Sequence, residues 1–242
     1  DTHMGASMDS YMNGYSDPRI GIYWTKAADN GYHGVRQGIH SSNWAPYGNK
    51  ANNVSSPNFS KEGTLVTWMT ASEVSFLRAE GALRGWNMGG TAQSFYEQGI
   101  TLSFEETGAG SATSYIGNST AKPANFVDKA GSNSCNALGT VTIKWNTSDN
   151  FETSLEKIIT QKWLAIFPNG CEAWAEFRRT GYPKLFPVVS NDSGGQVNTN
   201  TQIRRIPYPQ TERDNNSEEL DKGIALLGGP DSAGTKLWWD KK

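Results

Sequence analysis

The stretch "TASEVSFLRAEGALRGWNMGGTAQSFYEQGITLSFEETG", residues 70–108, carries two helix-start signals in succession, and its reading decides the fold class. Thr70 and Glu73 have the spacing of a capping box, in which each side chain bonds the other residue's backbone N–H, so a helix is predicted from Ala71. Val74, Leu77 and Gly81 recur on one side of it and Phe76, Glu80 and Leu83 on another. Both sides are expected to be partly buried before the helix stops near Gly85. Thr91 is the next N-cap. Tyr96, Ile100 and Phe104 then recur every fourth residue beside Phe95, Gly99 and Ser103, which describes a second amphipathic helix running antiparallel to the first. The small residues Ala79, Gly81 and Gly99 permit close approach, and residues 64–106 therefore read as one tetratricopeptide-like helical hairpin. A single unit of this kind is too short to form a solenoid.

Downstream, residues 107–153 read as a long loop of Ser, Gly, Asn and Ala with one short strand at "TVTIKW" (140–145), where Val141, Ile143 and Trp145 alternate with polar neighbours. Residues 154–182 read as core helices. Thr153 and Glu156 form a second capping box, Leu155, Ile158, Ile159, Trp163 and Ile166 follow at helical spacing, and Pro168-Asn169-Gly170 is expected to end that helix. A further short helix carries Trp174 and Phe177 before "RTGYP" turns the chain. Trp163 and Trp174 are expected as core anchors, and Arg178 and Arg179 as held by intrahelical ion pairs with Glu172 and Glu176 and by contacts to nearby carbonyls. Residues 183–242 read as loops wrapping a helical core, with "IRRIPYP" extended because each proline restricts its predecessor. Residues 1–63 are similarly loop-rich. The expectation is a single domain over 1–242, mainly α, with a tetratricopeptide-like helical core, long loops and a few short strands.

Composition removes several function classes. The formal net charge is −2 and charged residues make up 19 % of the chain, so no basic face is available to track nucleic-acid phosphates. His3, His33 and His40 are the only histidines and have no metal-ligand spacing, so neither a metal nor a cofactor is expected. Cys135 and Cys171 allow one bridge or two buried thiols, and no disulfide framework. No run of 18 or more apolar residues is present. Glu105 and Glu106 are helix neighbours about 100° apart and cannot flank one glycosidic bond, and no nucleophile elbow or P-loop lysine is found. The chain is not expected to be an enzyme. Pairing in three dimensions of distant carboxylates such as Asp17 and Asp29 stays open.

The motifs "WMTASEVSFLRAEGALRGW", "YEQGITLSFEETG", "LEKIITQKWLAIFPNGCEAWAEFRRTGYPKL", "IRRIPYPQTERDNN" and "GGPDSAGTKLWWDKK", in that order and preceded by "SYMNGYSDPRI", resemble the C-terminal half of SusD/RagB-type outer-membrane proteins. The resemblance covers nearly the whole chain. It implies a nutrient-binding lipoprotein on the outer face of a Bacteroidetes outer membrane, without catalytic activity, acting as a lid on a SusC-like TonB-dependent transporter and capturing oligosaccharide or peptide. It also implies that this chain is the C-terminal part of a longer protein, whose other half carries the lipid anchor and most of the tetratricopeptide-like units.

A sugar presents apolar C–H faces ringed by hydroxyls, so its site needs aromatic platforms beside hydrogen-bonding side chains. Residues 21–50 supply both. Tyr23, Trp24, Tyr32, His33, Trp44 and Tyr47 are interleaved there with Asp29, Asn30, Arg36 and Asn43. These ten are the expected ligand-binding residues. Several of the rings are equally suited to packing beneath the loop.

Overall fold

Thr70 Oγ1 accepts the Glu73 N–H at 3.2 Å, and the helix it caps is one of a set of α-helices that make up the regular structure of the chain. The computed structural model describes residues 2–48, 52–58 and 67–240, so residues 64–66 of the expected hairpin lie outside the described residues. In chain order the helices are α1 (Ala6–Gly14), α2 (Ile20–Tyr23), α3 (Ala71–Leu83), α4 (Ala92–Thr107), α5 (Thr113–Ile116), α6 (Phe151–Ala165), α7 (Gly170–Thr180), α8 (Gln210–Asn215) and α9 (Ser217–Ala225). Two 3-10 turns, Ser41–Asn43 and Ala45–Tyr47, lie between α2 and α3.

Helices α3 and α4 form the hairpin. Glu106, near the end of α4, accepts from Ser72 N and Ser72 Oγ at the start of α3 (3.0 and 2.6 Å), while Gly99 faces Phe76 and Arg78 lies over the Phe95 ring. That descending register is antiparallel. Thr91 and Ser94 form a reciprocal capping box at the head of α4. Thr70 caps α3 from one side only, because Glu73 turns inward to the ammonium of Lys162 on α6, 3.7 Å away. The expected two-sided burial of α3 also fails. Phe76 and Glu80 are buried, whereas Val74 and Leu77 are 42 % and 40 % exposed, so the helix has one buried face. A Cβ built on Gly99 would sit 2.8 Å from the Phe76 ring, which is itself fully buried and cannot retreat. Gly99→Ala should therefore cost about 1–3 kcal/mol in urea unfolding, and an unchanged midpoint would show that the hairpin has slack the packing denies.

Three sequence boundaries shift. Helix α6 starts at Phe151, because Asn150 rather than Thr153 is its N-cap: Asn150 Oδ1 accepts the Thr153 N–H at 2.8 Å. Asn169 does not stop α6 but opens α7, accepting the Glu172 N–H at 3.2 Å. The strand expected at 140–145 is absent. Val141 and Ile143 are buried as an alternating pattern requires, yet their carbonyls accept from the hydroxyls of Tyr15 (3.0 Å) and Tyr96 (2.6 Å), and the Lys144 N–H goes to Asn118 O. Side-chain hydroxyls have replaced a partner strand. Among the described residues the β pairing is confined to isolated bridges, Gly5 with Val35, Trp24 with Pro57 and Phe126 with Cys135.

The loop-rich ends contain helices. Met8, Tyr11, Met12 and Tyr15 of α1 and its C-cap enter the main core with Phe76, Tyr96, Ile100, Phe104, Ile158 and Leu164. Within 183–242, α8 and α9 are polar helices held by Gln210–Asp214 and by Lys222 with Glu218 and Glu219, with Leu220 alone fully buried. This end is clamped by ion pairs of Arg204 with Asp240 and of Arg205 and Arg213 with Asp231. Arg178 makes the expected contact with a nearby carbonyl, Nε donating to Trp174 O at 3.4 Å, rather than the expected ion pair with Glu172. Its guanidinium is stacked 3.6 Å from the Trp174 ring centroid and 4.7 Å from that of Trp239, and donates to Arg204 O. Arg179 does pair with Glu176, and also with Glu80 across the helix boundary. Both cysteines are free. Cys135 packs against Ala6, Phe126 and Phe186, while Cys171 is exposed rather than buried.

Candidate ligand site

Segment 21–47 divides into an inner and an outer set of side chains. Tyr23 is 6 % exposed and donates its hydroxyl to Leu164 O at 3.2 Å; burial pushes its phenol pKa up to about 12. Trp24 is 4 % exposed, with its ring 4.8 Å from that of Phe167. Tyr47 is 2 % exposed and donates to Asp128 Oδ2 at 2.6 Å while accepting from Asn133 Nδ2 at 3.0 Å. Burial, with the Asp128 carboxylate beside it, raises the Tyr47 phenol to about 12. Burial opposes ionisation of Asp128, but the Tyr47 hydroxyl and the N–H groups of Asn133 and Ala130 more than offset it, and its pKa lies below the ordinary value. These three rings hold the loop down. Arg36 is likewise engaged, donating from Nη2 to Pro187 O at 2.7 Å and lying over the Phe186 ring.

The outer set comprises Asp29, Asn30, Tyr32, His33, Asn43 and Trp44. Asn30 has φ +65°, a left-handed turn that asparagine tolerates, and Asp29 closes it by accepting from Gly31 N (2.9 Å) and His33 Nε2 (2.8 Å). Those bonds hold the Asp29 pKa below its usual value. Tyr32 is half-buried against the main core, and its carbonyl accepts from Asn13 Nδ2. Farther along, Trp44 is half-buried on the cluster of Val35, Tyr47 and Val54, with its ring 5.7 Å from Tyr47 and 5.9 Å from His3, and with exposed Asn43 next to it. Trp44 is thus the tryptophan of this segment that keeps a surface while its underside is fixed.

A larger feature lies elsewhere. The N-terminal segment 2–8, the turn from Trp163 to Phe177 and residues 185–203 enclose a groove of about 850 Å³. Trp24, Trp163, Phe167, Trp174 and Phe186 line it with Arg36 and Asp192. The sequence reading missed it because it assigned Trp163 and Trp174 wholly to the core. Both are only partly buried: Trp163 touches Tyr11 at 5.6 Å, and Trp174 donates its Nε1–H to Ile203 O at 2.9 Å. The available signal was that Ala173, Trp174 and Phe177 make an apolar stripe on α7 that faces a loop rather than another helix. Four polar atoms of groove-lining residues, His3 Nδ1 and Nε2, Trp24 Nε1 and Arg36 Nε, are buried without a hydrogen-bond partner. Burial lowers the His3 pKa below its ordinary value.

Among the described residues no three His, Cys, Asp or Glu side chains converge on a metal position. Glu106 is bonded to Ser72, and Asp17, 1 % exposed, is paired with Arg19, so neither forms half of an acid–base pair in a cleft. No helix among the described residues is long and apolar enough to cross a membrane.

Comparison with known proteins accounts for the arrangement. The family model for SusD-like proteins, described as SusD and RagB outer membrane lipoproteins, matches residues 1–240. Among solved structures, a chitin-binding SusD homologue from Flavobacterium johnsoniae is 46 % identical with a TM-score of 0.92, over 98 % of this chain and 49 % of that one. A SusD homologue from Bacteroides uniformis is 44 % identical (TM-score 0.93, 100 % and 50 % covered), and one from Bacteroides thetaiotaomicron is 47 % identical (TM-score 0.87, 98 % and 52 % covered). The chain spans about half the length of these relatives. Among curated proteins none matches it. A family match over nearly every residue, joined to relatives of this identity with the same helical framework, means that the chain belongs to the SusD-like family of outer membrane lipoproteins.

Proposed function

We propose that the chain is part of a non-catalytic, surface-exposed protein that holds an oligosaccharide for uptake through a SusC-like TonB-dependent transporter, at the outer face of the outer membrane. The observation that carries this reading is the 46 % identity, over 98 % of the chain, to a homologue described as chitin-binding. Chito-oligosaccharide is accordingly the first ligand to test. The site we assign is the outer set of the 21–47 segment, with Trp44 as the stacking platform and Asn43, His33, Asp29, Asn30 and Tyr32 as the polar surround. Trp44 suits that role because its underside is packed on the cluster of Val35, Tyr47 and Val54, so a sugar ring meets a surface whose ordering cost is already met.

Calorimetric titration with chitohexaose tests the assignment. Trp44→Ala should weaken binding at least about tenfold, some 1.4 kcal/mol, while the chain remains folded, because Trp44 lies outside the main core. Unchanged affinity in the variant would remove Trp44 from the site. Absence of heat with any glycan in a panel, from folded protein, would sink the reading itself.

A further inference from the structure

We infer that Asp128 is a positioning residue of the ligand site: it fixes the Tyr47 phenol, and through that ring the orientation in which Trp44 offers its face to a sugar. The inference deepens the reading of Trp44 as the stacking platform and rests on it.

Asp128 lies in the stretch that the sequence marks only as a long loop. Its carboxylate is buried, 7 % exposed, and among the described residues its hydrogen bonds come from neutral donors rather than from a cation. Oδ1 accepts from Ala130 N (3.1 Å) and Gly131 N (2.9 Å), and Oδ2 from Asn133 N (2.9 Å), Asn133 Nδ2 (3.1 Å) and the Tyr47 hydroxyl (2.6 Å). Four of these bonds close the turn 128–133 on itself, which is all that an aspartate turn requires. The fifth, the shortest, reaches back 81 residues to Tyr47. Asn133 Nδ2 donates to the same hydroxyl at 3.0 Å, and a Cβ built on Gly131 would collide with it. Ala130 packs on the cluster of Val35, Tyr47 and Val54 that also carries Trp44. The turn is fitted to that one phenol.

A ring held only by apolar neighbours can tilt, because such contacts have no direction. Tyr47 is held by its sides and by its hydroxyl, which sets its plane. Trp44 and Tyr47 are three residues apart across the 3-10 turn Ala45–Tyr47, a spacing that puts both side chains on one side of the turn. The Tyr47 N–H donates to Trp44 O at 2.9 Å, and the two rings lie 5.7 Å apart with 32° between their planes. Tyr47 thus orients Trp44, and Asp128 orients Tyr47. When only a fraction of molecules present a competent site, apparent affinity falls by that fraction. Loosening the support therefore weakens binding although no ligand contact is removed.

The test joins calorimetry to fluorine NMR of the chain labelled with fluorotryptophan, the Trp44 line being identified by its loss in Trp44→Phe. Asp128→Asn removes the carboxylate. Tyr47→Phe keeps the packed ring and removes only the bond to Asp128, so it answers the question even where Asp128→Asn does not fold. In each variant the Trp44 line should broaden or split, and chitohexaose should bind about three- to tenfold more weakly, a smaller loss than that from Trp44→Ala. The double variant should bind no worse than Asp128→Asn alone, since both changes cut the same bond. Gly99→Ala, strained in the α3–α4 hairpin, should leave the line and the affinity unchanged, which separates positioning from a general loss of stability. Where Trp44→Ala loses binding, an unmoved line or an undiminished affinity in Tyr47→Phe overturns the inference and leaves the platform in place. Undiminished affinity in Trp44→Ala itself removes the platform, and the inference falls with it.

Discussion

Arg19→Met should lower the unfolding free energy by about 3–5 kcal/mol, because it strands a buried carboxylate. Arg19 is 0 % exposed and Asp17 1 %. Its Nε and Nη2 donate to the two Asp17 oxygens at 2.9 and 2.5 Å, and Nη1 donates to Ser103 Oγ at 2.8 Å. Tyr115 OH donates to Asp17 Oδ2 at 3.0 Å, Gln161 Nε2 donates to Tyr115 OH, and the guanidinium lies over the rings of Phe104 and Tyr115. One side chain thereby joins the α1–α2 turn to α4, α5 and α6. Burial alone would lower the Arg19 pKa, but the Asp17 charge beside it raises it above the ordinary arginine value, so the group stays ionised. Removing both charges is a different experiment. Asp17→Asn with Arg19→Met should recover part of the loss, since no uncompensated charge is left. Urea denaturation of the three variants gives the coupling directly, and a loss under about 1 kcal/mol for Arg19→Met alone would show that water reaches a pair the fold encloses.

Arg19 also marks the limit of what the sequence discloses. A helix periodicity is local, so Tyr96, Ile100 and Phe104 announce their buried face from spacing alone, and Thr91 announces its cap. An arginine between Pro18 and Ile20 has no such local signature. Its burial depends on Ser103 and Gln161, 84 and 142 residues away. The same reason hid the fate of Glu73, which reads as the reciprocal half of a capping box until Lys162 is brought within reach. Helix α1 shows the opposite case: Met8, Tyr11, Met12 and Tyr15 do have helical spacing, but over too few residues to stand out between Gly5 and Gly14. At the candidate site, residue type showed where aromatics gather, not which face of each ring remains open. Tyr23, Trp24 and Tyr47 look like Trp44 in the sequence, and only the packing of Leu164, Phe167 and Asp128 around them distinguishes holding a loop from meeting a ligand.

Lys162→Met should also cost about 3–5 kcal/mol at pH 7.5, and the cost should shrink towards pH 5. The ammonium, 1 % exposed, bonds Glu172 at 2.6 Å and Glu176 at 3.1 Å and lies 3.7 Å from Glu73, so it ties α6 to α7 and α3. Burial works against the charged lysine, yet the Glu176 and Glu172 carboxylates hold its pKa above the ordinary value. A raised lysine stabilises the fold fully below its unfolded pKa and loses that contribution only as the pH climbs through the folded one. The wild-type contribution is therefore constant from pH 5 to 7.5. The variant behaves differently. Glu73 already has its pKa raised by burial even with Lys162 present. Without the lysine, whose charge opposes that rise, the folded-state pKa of Glu73 should go up further. An acid raised in the fold destabilises above its folded pKa and ceases to do so once protonated, so lowering the pH relieves the variant. Arg179 pairs with Glu176 and Glu80 and holds Glu80 below its usual pKa, so the relief falls mainly on Glu73. Guanidinium would screen these charges, so urea unfolding of both proteins at pH 5 and 7.5 is the measurement. A gap between them that stays constant with pH would mean that the three carboxylates find solvent or another partner, and that Lys162 serves the core through its methylenes rather than its charge.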